Sequence, residues 1–91
     1  MVEKIYTINN KLGLHARPAS LFVKTTGKFS SQIKVIRDNQ EIDGKSIMGL
    51  LMLAAGPGTQ LKITASGPDE NDAIKALDDL FLRRFDDEDH E

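Results

Sequence analysis

Of the two histidines in the chain, His15 lies in a setting where an imidazole could do chemistry. It sits in the stretch Asn10-Lys11-Leu12-Gly13-Leu14-His15-Ala16-Arg17-Pro18-Ala19. A turn signal runs from Asn10 to Gly13. Pro18 belongs in a first helical turn, where its missing N–H would have had no intrahelical partner. A helix therefore starts at His15 or Ala16, and the imidazole lies beside the N–H groups of that turn. Those groups and the helix dipole favour an anion. Arg17 adds a forked, permanently charged donor suited to phosphate, and histidine is a nucleophile near neutral pH. The simplest chemistry for the set is a phosphoryl group carried on His15 and stabilised by Arg17. Leu14 and Ala16 are small or apolar, as a docking surface around such a residue requires.

A second group lies further along. Ser46 is a good N-cap for the apolar run that follows it. A two-turn helix as apolar as this one cannot bury every face. Some of Ile47, Met48, Leu51 and Met52 should stay exposed as a partner patch, where methionine is adaptable. Three features only look functional. Gly44-Lys45-Ser46 ends like a P-loop, but position 39 is Asn where that motif needs Gly. Gly56-Pro57-Gly58 is a helix stop. His90 stands among acids in a segment without core residues, and no metal site is expected.

The elements that must position these residues follow from periodicity. Val2 to Ile8 reads as a strand. Ala16 to Thr26 reads as a helix, with Ala16, Ala19, Phe22 and Val23 at helical spacing and Gly27 as its stop. Gln32 to Arg37 alternates, Ile33 and Val35 on one face. Asp38-Asn39-Gln40 turns the chain into a short return strand, Glu41 to Asp43. Ile47 to Ala55 reads as a helix. Thr59 to Ser66 alternates, with Leu61, Ile63 and Ala65 on one face. Asp69 should cap the last helix, whose apolar face carries Ala73, Ile74, Leu77, Leu80 and Phe81. Arg83 and Arg84 suit its C-terminal end. The order β-α-β-β-α-β-α, amphipathic throughout, implies an α+β fold in two layers, helices covering one side of an antiparallel sheet. The pattern leaves the strand order open, and a ferredoxin-like arrangement fits the same string.

Ninety-one residues make one domain with one modest core. No cysteine is present, so thiol catalysis, disulfides and thiolate metal sites are excluded. That agrees with a cytoplasmic setting, as does the lack of a signal-peptide or membrane-spanning run. Five of the fourteen acidic residues lie at 86–91. Without those six positions twelve basic residues face nine acidic ones, a net +3. The body, residues 1–85, is mildly basic. Lys11, Arg17, Lys24, Lys28 and Lys45 can share a side that steers acidic protein partners. The acidic segment reads as a disordered tail. Nucleic acid is not expected as a ligand: stacking aromatics are scarce on the strands, and no Gly-x-x-Gly clamp joins two helices.

Together these segments resemble HPr, the histidine-containing phosphocarrier family of the bacterial phosphotransferase system. Asn10 to Ala19 is similar to its active-site motif, Gly44 to Leu53 to its regulatory segment, and Ala65 to Glu70 to its entry into the last helix. The likeness covers residues 2 to 85. It implies an open-faced β-sandwich, a four-stranded antiparallel sheet in order 1-4-2-3 under three helices. It further implies that His15 accepts a phosphoryl group on Nδ1 from phosphorylated enzyme I, assisted by Arg17, and passes it to IIA components. Such a protein is a covalent intermediate without independent turnover and needs no cofactor. It is expected to act as a monomer, with Lys24 in the basic rim of its docking surface. Ser46 matches the position modified by an HPr kinase/phosphorylase in some bacteria. Some nitrogen-related members also end in acidic tails, so the alternative is a regulatory module acting through partner choice.

Overall fold

Among the described residues, four strands and three helices follow one another in the order that the periodicity predicts. The computed structural model describes residues 1–9, 13–83 and 85. The readings that fall on Lys11, Arg84, His90 and the acidic segment lie outside the described residues. The elements are β1 (Val2–Thr7), α1 (Ala16–Thr26), β2 (Gln32–Arg37), β3 (Gln40–Asp43), α2 (Ile47–Met52), β4 (Gln60–Ser66) and α3 (Glu70–Leu82).

The strands form one antiparallel sheet in the order β1-β4-β2-β3. β1 is therefore an edge strand, which rules out the ferredoxin-like arrangement, where the first strand is internal. Register places Val35 beside Ile63 and Tyr6 beside Leu61. These side chains, with Ile33 and Ala65, are buried beneath the helices. The alternate residues face solvent, where Lys62–Glu3 and Lys34–Glu41 pair diagonally across the strands at 3.8 and 3.3 Å. This is the open face of the sandwich.

The helices close the core with Phe22 from α1, Leu50 from α2, and Leu77, Leu80 and Phe81 from α3. The Phe81 ring stacks on Tyr6 with centroids 4.5 Å apart and meets Phe22 and Phe85 edge-on at 6.5 and 5.0 Å. Such aromatic pairs add to plain area burial. The buried Tyr6 hydroxyl donates to Asp78 Oδ1 at 2.6 Å. Burial, then the hydrogen bond and charge of Asp78, push the phenol far above its ordinary range.

Three local details differ from expectation. Gly27 caps α1 in a right-handed conformation (φ −65°), so the helix ends by running into a turn and not by a left-handed residue. The second helix stops at Met52, three residues short of Ala55, because Ala54 takes a left-handed conformation (φ 51°). Asp69 stands at the N-cap of α3, but its carboxylate makes no capping bond. Instead Oδ2 accepts from the Ser30 N–H at 2.9 Å, and Oδ1 accepts from the Ser31 N–H at 2.9 Å and from the Ser31 hydroxyl. That bond to the Ser31 hydroxyl, followed by those to the serine backbone, lowers the Asp69 carboxyl to about 2. Asp69 therefore staples the start of β2 to the start of α3. Gly67 lies between them, and a Cβ there would come within 2.7 Å of Ser31 Cα.

Candidate functional site

His15 is the N-cap of α1. Its backbone is extended (φ −99°, ψ −164°), and its carbonyl accepts the first intrahelical bond, from the Ala19 N–H at 3.0 Å. Ser, Thr, Asp and Asn at this position normally spend the side chain on a cap. The His15 side chain makes no capping bond to the helix. It is half-buried, next to Ala16 and Arg17, which are both exposed. Arg17 and Pro18 follow in the first turn, as the spacing requires, and Pro18 is buried.

The backbone before His15 is fixed by the connection between α2 and β4. The Leu14 N–H donates to the Ala55 carbonyl at 2.8 Å. Gly13 adopts φ +75°, and a Cβ on it would lie 2.5 Å from the Ala55 oxygen and 2.8 Å from Gly56 Cα. Only glycine satisfies both the left-handed conformation and this close approach. Ala55 is held from the other side. Arg37 Nη1 donates to the carbonyls of Leu53 and Ala54 at 2.5 and 3.0 Å, taking up acceptors left over at the end of α2. Arg37 thus holds residues 53 and 54, and the next residue, Ala55, holds the backbone of Leu14 directly before His15. Sequence reading missed Arg37 and Ala55. Arg37 shows only as the end of a strand, and nothing local connects it to a turn sixteen or seventeen positions away.

Leu14, expected on the docking surface, is corrected: it is a core side chain, 5% exposed. The hydrogen bond to Ala55 turns it inward and leaves its neighbour His15 at the surface. Ala16 and Lys24 are exposed. On α2, Ile47, Met48 and Met52 are exposed at 41, 69 and 67%, while Leu50 and Leu53 supply the buried face. Leu51 is partly buried against the core and belongs to the patch only by its rim. Lys45 is drawn away from a free basic face, because its ammonium donates to the Phe29 carbonyl at 2.7 Å.

Ser46 is the N-cap of α2, its Oγ accepting from the Gly49 N–H at 3.0 Å. It lies at the end of α2 opposite to Ala55. Six helical residues rise about 9 Å, so Ser46 borders the Ile47–Met48 patch rather than the imidazole. A cavity of about 320 Å³ is lined by Lys4, Tyr6, Asn9, Asp78, Phe81 and Leu82, and His15 is not among its walls. An imidazole set on an open surface suits transfer to and from a macromolecule better than capture of an enclosed small molecule.

Residues 2–82 match the family model described as "PTS HPr component phosphorylation site". The chain belongs to the HPr family. Among curated HPr phosphocarriers, that of Treponema pallidum is 42% identical over 97% of this chain and 100% of its own length. That of Pseudomonas aeruginosa is 49% identical over 88% of this chain and 90% of its own. The crystal structure of HPr-C-His from Thermoanaerobacter tengcongensis superposes with a TM-score of 0.90, at 53% identity, covering 93% of this chain and 96% of that one. These relatives support the HPr phosphocarrier identity of the chain. Its partners are other proteins of the phosphotransferase system. Among the described residues no helix is long and apolar enough to cross a membrane.

Proposed function

We propose that His15 accepts a phosphoryl group from phosphorylated enzyme I and passes it to IIA components, the chain acting as a monomeric carrier without turnover of its own. The observation that carries this reading is the state of His15. It is an N-cap residue whose imidazole is not spent on capping, at a half-exposed position rigidly fixed through Leu14 and Ala55. In the transfer, the Nδ1 lone pair attacks phosphorus in line, an N–P bond forms, and the bond from phosphorus to the donor breaks with its electron pair staying on the donor. Positioning and charge stabilisation supply the catalysis, from the N-terminus of α1 and from Arg17. Ile47, Met48 and Met52, with the rim of Leu51, give partners an apolar docking patch, and Ala16 and Lys24 extend it around His15. A patch this small suits transient complexes.

The test is incubation with enzyme I and phosphoenolpyruvate. The chain should gain one acid-labile phosphate, mapped to His15. His15→Ala should fold normally and gain none. Arg17→Ala should lose transfer rate more than partner affinity. Acid-stable phosphate, or full acceptance by His15→Ala, would reject the assignment.

A second reading has its own observation. Ser46 borders the exposed Ile47 and Met48. Phosphate added there by an HPr kinase/phosphorylase would place about −1.5 to −2 charges where a partner docks, and the chain would then regulate by partner choice. Phosphate mapped to Ser46 after incubation with such a kinase and ATP supports this reading.

A further inference from the structure

His15 and the apolar patch stand on different helices, so whatever sets α2 against α1 sets one against the other. α1 carries His15 at its N-terminus, and α2 presents Ile47, Met48 and Met52. α2 has six residues, too few to form a stable helix on its own hydrogen bonds. Its C-terminal end is fixed beside His15, where the Leu14 N–H donates to the Ala55 carbonyl at 2.8 Å. Its N-terminal end is anchored separately, through Gly44 and Lys45.

Thr26, the last residue of α1, is 1% exposed. Its hydroxyl has one proton and two acceptors in reach: the Val23 carbonyl of its own helix at 3.2 Å and the Gly44 carbonyl at 2.9 Å. A threonine in a helix ordinarily bonds back to its own turn. Here the shorter bond is the tertiary one. Lys45 adds a charge-assisted bond, its ammonium donating to the Phe29 carbonyl just beyond α1 at 2.7 Å. Gly44 is itself seated on β2. Its N–H donates to the Ile33 carbonyl at 2.7 Å, and a Cβ on it would lie 2.5 Å from Ile33 Cγ2. Directly after Lys45 come the cap Ser46 and the exposed Ile47 and Met48.

We propose that Thr26 and Lys45 are positioning residues for partner docking: they clamp the start of α2 onto the end of α1 and so hold the Ile47–Met48 patch in register with His15. A partner that covers both must meet them at one fixed spacing. When the clamp opens, the patch samples other positions, and only the fraction of molecules in the correct one can dock. The imidazole is held at the opposite end of α1 by Gly13, Leu14 and Ala55, so transfer inside a formed complex is untouched. The proposal rests on the carrier reading above for its kinetic consequence, whereas the clamp itself does not.

Thr26→Val is the decisive variant, because it keeps the shape, changes no charge and lies at a side chain too buried to touch a partner. With the full chain as acceptor from phosphorylated enzyme I, it should raise KM on the order of fivefold and leave kcat within about twofold, the pattern of lost binding without lost chemistry. Thr26→Ser, which restores the hydroxyl, should recover most of the affinity. Lys45→Met should raise KM in the same way and keep that effect at about 0.5 M salt, where loss of a steering charge alone would be screened. Ile63→Val, a methylene removed from the buried face of the sheet, controls for general destabilisation and should leave KM unchanged. An unchanged KM in Thr26→Val, a fall confined to kcat, or an equal rise in Ile63→Val overturns the proposal. Amide exchange tests the clamp without a partner. The Gly49 N–H bonded to Ser46 Oγ and the Leu50 N–H bonded to the Ser46 carbonyl should exchange on the order of tenfold faster in Thr26→Val, with the Leu14 amide unaffected. Equal exchange in α2 overturns the clamp. If the native chain accepts no phosphate at all, the carrier reading fails, and the exchange data still decide the clamp.

Discussion

Replacing Gly13 by alanine should damage the site more than any other single methyl group could. Gly13 has φ +75°, and an added Cβ would lie 2.5 Å from the Ala55 oxygen, well inside van der Waals contact. The left-handed conformation alone costs a non-glycine residue roughly 1–2 kcal/mol. The clash must then push the loop off residues 55–56 and break the Leu14–Ala55 hydrogen bond, worth about 1 kcal/mol. The sum is about 2–3 kcal/mol, or a melting temperature lower by roughly 10–20 °C for a domain of this size. Gly56→Ala is the matched control, since a Cβ there meets nothing within 4 Å, and it should stay within about 0.5 kcal/mol of the native chain. Denaturant unfolding of both variants measures the difference. Transfer kinetics give a second readout: Gly13→Ala should slow acceptance at His15 even at temperatures where it is fully folded, because the imidazole is no longer held in place. If Gly13→Ala is as stable and as active as Gly56→Ala, the account of how the loop is fixed is wrong.

Arg37→Ala removes a charged donor from two carbonyls; it should cost about 1.5–3 kcal/mol and speed hydrogen exchange at the Leu14 amide, and an unchanged Leu14 amide would break the link to His15. Ser46→Ala should destabilise by about 1 kcal/mol through loss of the cap. Ser46→Asp should keep the fold and the circular dichroism spectrum but weaken the apparent affinity for enzyme I, less so at high salt; equal kinetics across salt would leave Ser46 a plain cap. The Asp69 carboxyl is lowered from 3.8 to about 2 in the folded chain. Its stabilising bonds are therefore complete above the unfolded value and are lost as pH falls through about 2. Acid titration of stability should show a steeper fall between about pH 4 and 2 for the native chain than for Asp69→Asn, and parallel curves would contradict the staple.

What the sequence determined by itself was whatever depends on neighbours within a few positions. Helical and alternating periods placed every element and told the buried face of β2 and β4 from the open one, because side-chain direction repeats locally. The position of His15 at a helix start was legible for the same reason: Pro18 and Gly13 act on their own backbone. Strand order was not legible in the periodicity and came only from the family resemblance, since the pairing of β1 with β4 joins residues far apart in the chain, and a local pattern carries no record of it. The same limit explains the other differences. Leu14 reads as a surface residue beside His15 until Ala55 takes its N–H and turns it into the core. The second helix reads as continuing to Ala55 until Ala54 turns left-handed and Arg37, from another strand, takes its last carbonyls. Asp69 reads as a cap for its own helix until Ser30 and Ser31 arrive with four donors to its one side chain. In each case a polar backbone group or carboxylate had more than one way to be satisfied, and only the tertiary contact decided which.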